Sequence, residues 1–331
     1  MKQIPKAELH LHLEGAATPR LIKQLAQRHH KLLPKTLFID DTRFNWSSFS
    51  GENKTSFLNT YDLASSVIRT SEDYYDVTYE YLTSAAQEGV IYAEMMASPD
   101  HARRQGLSYL GMLEGIARAI DAAREHGIEG RVITTCVRHF GVEACIAVAE
   151  EAVQHPHPYV VGFGMGGDEL CFPPAAFARA FWIAHDEAGL ACTVHAGEMA
   201  GPAFIAEAIK TLPISRIGHG VRAIEDQRLL DLIIEQELTL ECCPTSNIVL
   251  GIYPSYREHP LLALIEAGVK VTLNSDDPPY FGTTVGHEYA IATAHFGLDE
   301  VLLGDITRVA IENSFVDAKM KNRLLEKIAY P

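Results

Sequence analysis

Cysteine is scarce in this chain: Cys136, Cys145, Cys171, Cys192, Cys242 and Cys243 are the only six in 331 residues, and no two form a CxxC pair. That spacing offers neither a thiolate metal site nor the dense framework of a small secreted fold, and it predicts reduced, mostly buried thiols. Cys242 and Cys243 close an apolar stretch; as consecutive strand residues they would point to opposite faces and could not chelate one ion together. Positive charge is short as well. Against 43 Asp and Glu stand 28 Lys and Arg, leaving a formal net charge of −15 with no local basic cluster. Such a surface repels a phosphate backbone, which argues against nucleic acid as a partner. No apolar run approaches the roughly 20 residues that span a bilayer, and MKQIPKAELH at the start has no apolar signal core. These absences predict a cytoplasmic protein without a membrane partner. Internal repeats, low-complexity tracts and a Gly-rich phosphate-binding turn after a strand are also missing.

What is there suffices for a large core, with 47% hydrophobic and 21% charged residues. Eight short β-type runs alternate with helical patterns: Lys6–Leu13, Val90–Ala97, Arg131–Val137, Val160–Met165, Ala191–His195, Arg216–Gly218, Thr239–Cys243 and Lys270–Leu273. They are nearly continuous in apolar residues, as parallel strands covered on both sides require. Eight βα units without a linker predict an α/β fold, a single (β/α)8 TIM barrel over residues 1–331, with additional helices after Tyr289 packed around it. A doubly wound open sheet is the other arrangement such alternation allows, but its glycine fingerprint is absent. Between the first two runs, Pro19–His30, about Thr55–Thr70 and Glu72–Gln87 have helical patterns. Residues 31 to about 54 are irregular and carry Phe38, Phe44, Trp46 and Phe49.

The first run reads KAELHLHL, with His10 and His12 on one face and Leu9, Leu11 and Leu13 on the other. Glu14 and Gly15 end it, so both imidazoles sit at its C-terminal tip, where a barrel keeps its chemistry. Four more strand ends are polar. VHAGE supplies His195 and Glu198, RIGHG His219, CPTSN Ser246 and Asn247, and TLNSDDP Asp276 and Asp277. Singly, each could be a hydrogen-bonded core histidine or an Asp-Pro turn. A barrel brings them all to one mouth, where ionisable groups are costly to desolvate unless they bind something. Three imidazoles and a carboxylate suit zinc, so His10, His12, His195 and Asp276 are the candidate ligands of one Zn2+ per chain, with a position left for water. Glu198, three residues past His195, clears the strand tip as a candidate proton shuttle. His219 could direct the incoming water, Asp277 diverges from Asp276 towards substrate, and Ser246 could support a ligand. The bridging lysine common in two-metal barrels is missing from the fourth run, which favours one ion.

PKAELHLHLEGA, VHAGE, RIGHG, CPTSN and NSDDP, in this order and at these intervals, resemble the adenosine deaminase family of metal-dependent amidohydrolases, from Pro5 to about Tyr280. The resemblance implies a one-zinc (β/α)8 barrel that hydrolytically replaces the 6-amino group of a purine and releases ammonia. It also implies roles residue by residue: His10, His12, His195 and Asp276 as metal ligands, Glu198 protonating ring nitrogen 1, His219 orienting the attacking hydroxide, and Asp277 meeting ring nitrogen 7. Gly167, in GFGMGGDE, matches the glycine whose N–H serves ring nitrogen 3. Phe57, Leu58 and Tyr61 resemble the apolar helix that closes over the pocket. The expected partners are a small-molecule purine nucleoside or base and water. Two departures fall on the substrate side. Glu14 stands where many members carry a shorter Asp that bonds the ribose 5′-hydroxyl, and Gly164 where Asp is frequent. If a ribose is bound, Glu14 is expected to accept a hydrogen bond from one of its hydroxyls. GDE at Gly167–Glu169 and Gly218 before His219 favour adenosine, deaminated to inosine; the HLHLEG spelling keeps adenine or a modified adenosine as the alternative. A non-catalytic purine binder would need no proton shuttle, so intact Glu198, His219 and Asp277 speak against one.

Overall fold

The computed structural model describes residues 4–46 and 56–328; Phe49 and the helix start expected at Thr55 lie outside the described residues. Eight parallel strands follow one another in chain order around a nearly closed barrel. They are β1 (Lys6–Glu8), β2 (Val90–Ala97), β3 (Glu129–Val137), β4 (Val160–Gly166), β5 (Ala191–Ala196), β6 (Ile214–His219), β7 (Thr239–Cys242) and β8 (Lys270–Leu273). Helices α1 (Pro19–Arg28), α2 (Ser56–Ser65) and α3 (Ser71–Gln87) lead from β1 to β2, and α4 (Pro99–Arg104) and α5 (Tyr109–Ala123) from β2 to β3. Then α6 (Val142–Gln154), α7 (Ala178–Trp182), α8 (Pro202–Thr211) and α9 (Gln227–Glu235) each precede the next strand, and α10 (Pro244–Val249) and α11 (Leu261–Glu266) precede β8. After β8 come α12 (Pro278–Phe281), α13 (Val285–Phe296), α14 (Glu300–Glu312) and α15 (Ala318–Ile328). The expected (β/α)8 barrel is present, and α14 lies across β8 and β1, as the packing of additional helices requires.

Local chemistry sets the element ends. Thr18 caps α1, its hydroxyl accepting from Leu21 N at 3.2 Å, with Pro19 at the first helical position. Thr70 and Asp73 form a reciprocal capping box that starts α3, so the helix expected to run to Thr70 stops at Ser65. The first strand is also shorter than its alternation predicts. Ladder pairing ends at Glu8, and the N–H groups of Leu9 and His10 turn instead to Asn274 Oδ1, at 2.9 and 3.2 Å. Beyond that side-chain bridge the chain touches its neighbours through single pairings, Leu11 with Asp276 and His12 with Met96. One asparagine thereby joins the last strand to the first.

The barrel lumen carries charge. Glu94, Arg216 and Glu241 are fully buried, with Arg216 Nη2 2.7 Å from Glu94 and Nε 2.6 Å from Glu241. The Phe315 ring lies 3.5 Å from the Arg216 guanidinium. β4 carries glycine at three alternate positions where a side chain would crowd its neighbours. A Cβ on Gly162 would come within 2.5 Å of the Phe315 ring, one on Gly164 within 3.0 Å of Ile133 and Thr135, and one on Gly166 within 3.0 Å of the His12 ring.

The thiol expectation needs one correction. Cys136, near the end of β3, and Cys145 in α6 are joined as a disulfide, because the turn at Arg138–Phe140 folds the helix back until their Cα atoms are 5.1 Å apart. Cys192, Cys242 and Cys243 are free and buried, and Cys171 is free and exposed. Among the described residues no helix is long and apolar enough to cross a membrane.

Candidate active site

Side chains from four strand ends crowd the barrel mouth. His12 Nε2 lies 3.1 Å from His195 Nε2 and 3.4 Å from Asp276 Oδ1, and His10 Nε2 lies 3.6 Å from the same oxygen. Ligands placed tetrahedrally around one ion at about 2.0–2.2 Å stand about 3.3–3.6 Å apart, so these spacings suit a shared cation. His10 supplies a second argument. Its Nδ1 is 2.7 Å from Glu241 Oε2 and donates there, which leaves Nε2 with a lone pair, buried and without a partner. Donor atoms of His10, His195, His219 and Asp276 lie within 4.8 Å of one another, as do those of His12, Asp276 and Asp277. The residues therefore fit a bound metal ion, with His219 standing beside the four expected ligands.

The electrostatics agree. Burial opposes charge on His10, yet Asp276 and Glu241 outweigh it and push its pKa up to about 10, so that without a cation a proton would take the place at Nε2 that the ion's positive charge would otherwise fill. Burial opposes charge on Asp276, but the imidazoles of His10, His219 and His12 outweigh it and hold the carboxylate well below its usual range. Negative potential thus gathers where a cation would sit. Asp276 and His219 both hold left-handed backbone, φ 64° and 56°, a strained conformation for non-glycine residues. Ser246 Oγ donates to Asp276 Oδ2 at 2.6 Å. A Cβ on Gly218 would come within 2.9 Å of the His10 ring, so the glycine makes space for the imidazole.

The expected proton-handling groups are here too. Glu198 Oε1 is 3.6 Å from His219 Nε2 and has no hydrogen-bond partner. Burial first, then the charges of Asp276 and Glu169, push the Glu198 pKa well above the carboxyl range. Asp277 is raised likewise, by burial and then by Asp276. Burial lowers His219 to about 3, which leaves the ring neutral. Its tautomer follows from a chain of bonds that begins at a backbone amide. Leu261 N donates to His259 Nδ1 at 3.2 Å, so the His259 proton is on Nε2 and goes to Asn247 Oδ1 at 3.1 Å. Asn247 Nδ2 then donates to His219 Nδ1 at 3.2 Å. The remaining His219 proton, on Nε2, is directed into the mouth.

A cavity of about 170 Å³ opens beside these groups, and Phe57, Leu58 and Tyr61 of α2 line it, as does Gly167. Gly167 has φ 95°, and a Cβ there would come within 2.7 Å of His139 Nδ1, so only glycine fits. Glu14 also lines the cavity but is only 2% exposed. Its Oε1 accepts from Ser98 N at 2.9 Å and Tyr74 Oη at 3.0 Å, and its Oε2 accepts from Tyr61 Oη at 3.4 Å. Gly164 is not on the cavity wall; it faces Ile133 and Thr135 one register below Gly166, so this departure bears on packing beneath the cavity rather than on substrate contact.

A family model described as adenosine deaminase matches residues 5–331. The chain belongs to the adenosine deaminase family. As a hydrolytic purine deaminase of that family it is 45% identical over 324 residues to an adenine deaminase of Agrobacterium fabrum, covering 98% of this chain and 97% of the relative. An adenine deaminase of Mesorhizobium japonicum is 46% identical over 324 residues, covering 98% of each chain. The crystal structure of an adenine deaminase from Arthrobacter aurescens superposes with a TM-score of 0.90 at 30% identity, covering 98% of both chains. Several groups that shape this deaminase's site are not apparent from motif order. Glu241 orients His10, His259 fixes the Asn247 of CPTSN against His219, and Glu169, visible only as the end of GDE, grips the loop after β5. The sequence holds one general signal for the first of these. Glu94, Arg216 and Glu241 are charged residues inside otherwise apolar strands, and such charges must find partners.

Proposed function

We propose that the whole chain acts as one zinc-dependent adenine deaminase, converting adenine and water to hypoxanthine and ammonia, in the cytoplasm. The observation that carries the choice of substrate is Glu14. Adenosine is favoured by the sequence pattern alone, and a ribose would need the Glu14 carboxylate. Three protein donors, Tyr74, Ser98 and Tyr61, already occupy all but one of its about four lone-pair sites, however, so a sugar hydroxyl is left at most one, on Oε2 beside Tyr61. The relatives named adenine deaminase, 45% and 46% identical, support the same substrate.

His10, His12, His195 and Asp276 would hold one zinc ion, whose Lewis acidity lowers the pKa of water. Around the purine, donors meet acceptors. Protonated Glu198 donates to ring nitrogen 1, protonated Asp277 to ring nitrogen 7 and the Gly167 N–H to ring nitrogen 3. The Nε2–H of neutral His219 meets the incoming oxygen and fixes its approach. Left as a carboxylate, Glu198 takes the two protons of the attacking water in turn, passing one to the 6-amino group as it departs as ammonia and keeping the other, which restores its own acid form. Phe57, Leu58 and Tyr61 cover the base and exclude bulk water.

A purine panel tests this reading. Ammonia release should give kcat/KM for adenine above that for adenosine by more than about tenfold, a difference of about 1.4 kcal/mol. Adenosine equal to or ahead of adenine would overturn it. Glu14→Gln provides the residue-level check. Losing one acceptor beneath Tyr74 and Ser98 should lower stability by about 1 kcal/mol in thermal melting and leave the ratio of adenine to adenosine turnover unchanged. A selective loss against adenosine would return the sugar contact to Glu14.

A further inference from the structure

β5 ends at Ala196, and the turn that follows carries Glu198. Four successive backbone N–H groups of that turn converge on one side chain from the loop after β4. Glu169 Oε1 accepts from Gly197 N at 2.5 Å, and Oε2 from Glu198 N at 3.2 Å, Met199 N at 2.7 Å and Ala200 N at 2.8 Å. A carboxylate has about four lone-pair sites, so this one is saturated. It is also only 2% exposed. The carbonyl side of the same segment is held from the loop after β3. Fully buried Arg138 donates from Nη2 to His195 O at 2.5 Å and from Nη1 to Phe172 O at 3.0 Å. An acceptor and a donor from two other strand ends thus grip the turn by its opposite backbone polarities.

The grip matters because the Glu198 side chain has no anchor of its own. Its Oε1 is buried without a hydrogen-bond partner, and His219 Nε2 stands 3.6 Å away. Where the carboxyl group stands is therefore set through its backbone. We propose that Glu169, braced by Arg138, is a positioning residue that fixes the reach of Glu198 to the purine ring. The inference rests on the reading of Glu198 as the proton donor. Gly167 does not depend on the same bonds, because its loop is tied separately, Asp168 N to His139 Nδ1 at 3.3 Å and Leu170 N to Asp168 Oδ1 at 3.0 Å. Loosening the turn should then cost turnover rather than substrate binding.

Glu169→Gln keeps the size but replaces one acceptor oxygen by an NH2 that faces N–H groups. With adenine as substrate, kcat should fall by about ten- to a hundredfold, the scale of a misplacement near 1 Å, while KM stays within about threefold and bound metal matches the wild type. Glu169→Asp, which keeps the charge one methylene short, should recover part of kcat and provides a folded variant if Glu169→Gln is unstable. The discriminating measurement combines Glu169→Asp with Glu198→Gln. A positioning role lowers kcat when Glu198 is present and adds nothing when it is replaced. An equal further loss in both backgrounds, or loss of metal in step with kcat, would overturn the proposal. So would an unchanged kcat in Glu169→Gln beside an inactive Glu198→Gln. Full activity in Glu198→Gln would instead remove the reading on which the proposal stands.

Discussion

Asp276→Ala is expected to leave a folded barrel that binds no metal and deaminates no adenine at a measurable rate. The reason is geometric and electrostatic together. Asp276 Oδ1 faces His10 and His12 at 3.6 and 3.4 Å, and its carboxylate is what holds positive charge at the mouth. Without it, neutral imidazoles face a cation with no anion among them, and affinity should fall by well over the roughly 10–100-fold that loss of a mere supporting partner costs. Asp276 also holds φ 64°, where Ala costs about 1–2 kcal/mol. Asp276→Asn is therefore the cleaner companion, since Asn tolerates left-handed backbone and can still accept from Ser246. His12→Ala tests the other side of the group and should show the same loss. Metal analysis, adenine turnover and a melting curve decide the matter. Stoichiometric metal with full activity in any of these variants would sink the ligand assignment.

Glu198→Gln should separate proton transfer from metal binding. The substitution preserves volume and one acceptor, but an amide cannot give up a proton. Burial, then the charges of Asp276 and Glu169, push the native carboxyl group well above the usual carboxylate range and so favour its protonated form, the state a donor to ring nitrogen 1 requires. Metal content and adenine binding should be retained while kcat drops by about 10²–10⁴-fold, the usual contribution of a general acid–base group. A fall in metal content parallel to the fall in activity would make Glu198 a ligand instead.

Much of this site could be read without coordinates because barrel topology carries chemistry to one place. Once VHAGE, RIGHG and NSDDP are recognised as strand ends, their residues must share a mouth, and His195, His219 and Asp276 do meet there. What stayed hidden depends on side-chain direction and on contacts across the fold. Glu14 sits two residues past His12 in a register that points to the mouth, but Tyr74 and Ser98, 60 and 84 residues away, decide where its carboxylate goes. The His219 tautomer is fixed by a backbone amide three hydrogen bonds removed, which no spacing rule encodes. The early end of β1 has the same character, since it reflects Asn274 rather than any breaker in KAELHLHL. Cys136 and Cys145 read as ordinary buried thiols until the turn between β3 and α6 brings them together.

The seam closed by Asn274 has a consequence for the timing of activity. Leu9 and Asn274, which meet there, are 265 residues apart in the chain, and His10, His12 and Asp276 face one another across the same join. Contacts of such long sequence separation form late, because the loop between them must be ordered before they add any stability. During synthesis the two histidines precede every other strand of the barrel, and the carboxylate opposite them does not exist until nearly the whole barrel has been made. With the proposed ligand set, a partly built or stalled chain has no complete site and so cannot act as a stray hydrolase. Catalytic competence in this architecture is a report that both ends of the barrel have arrived.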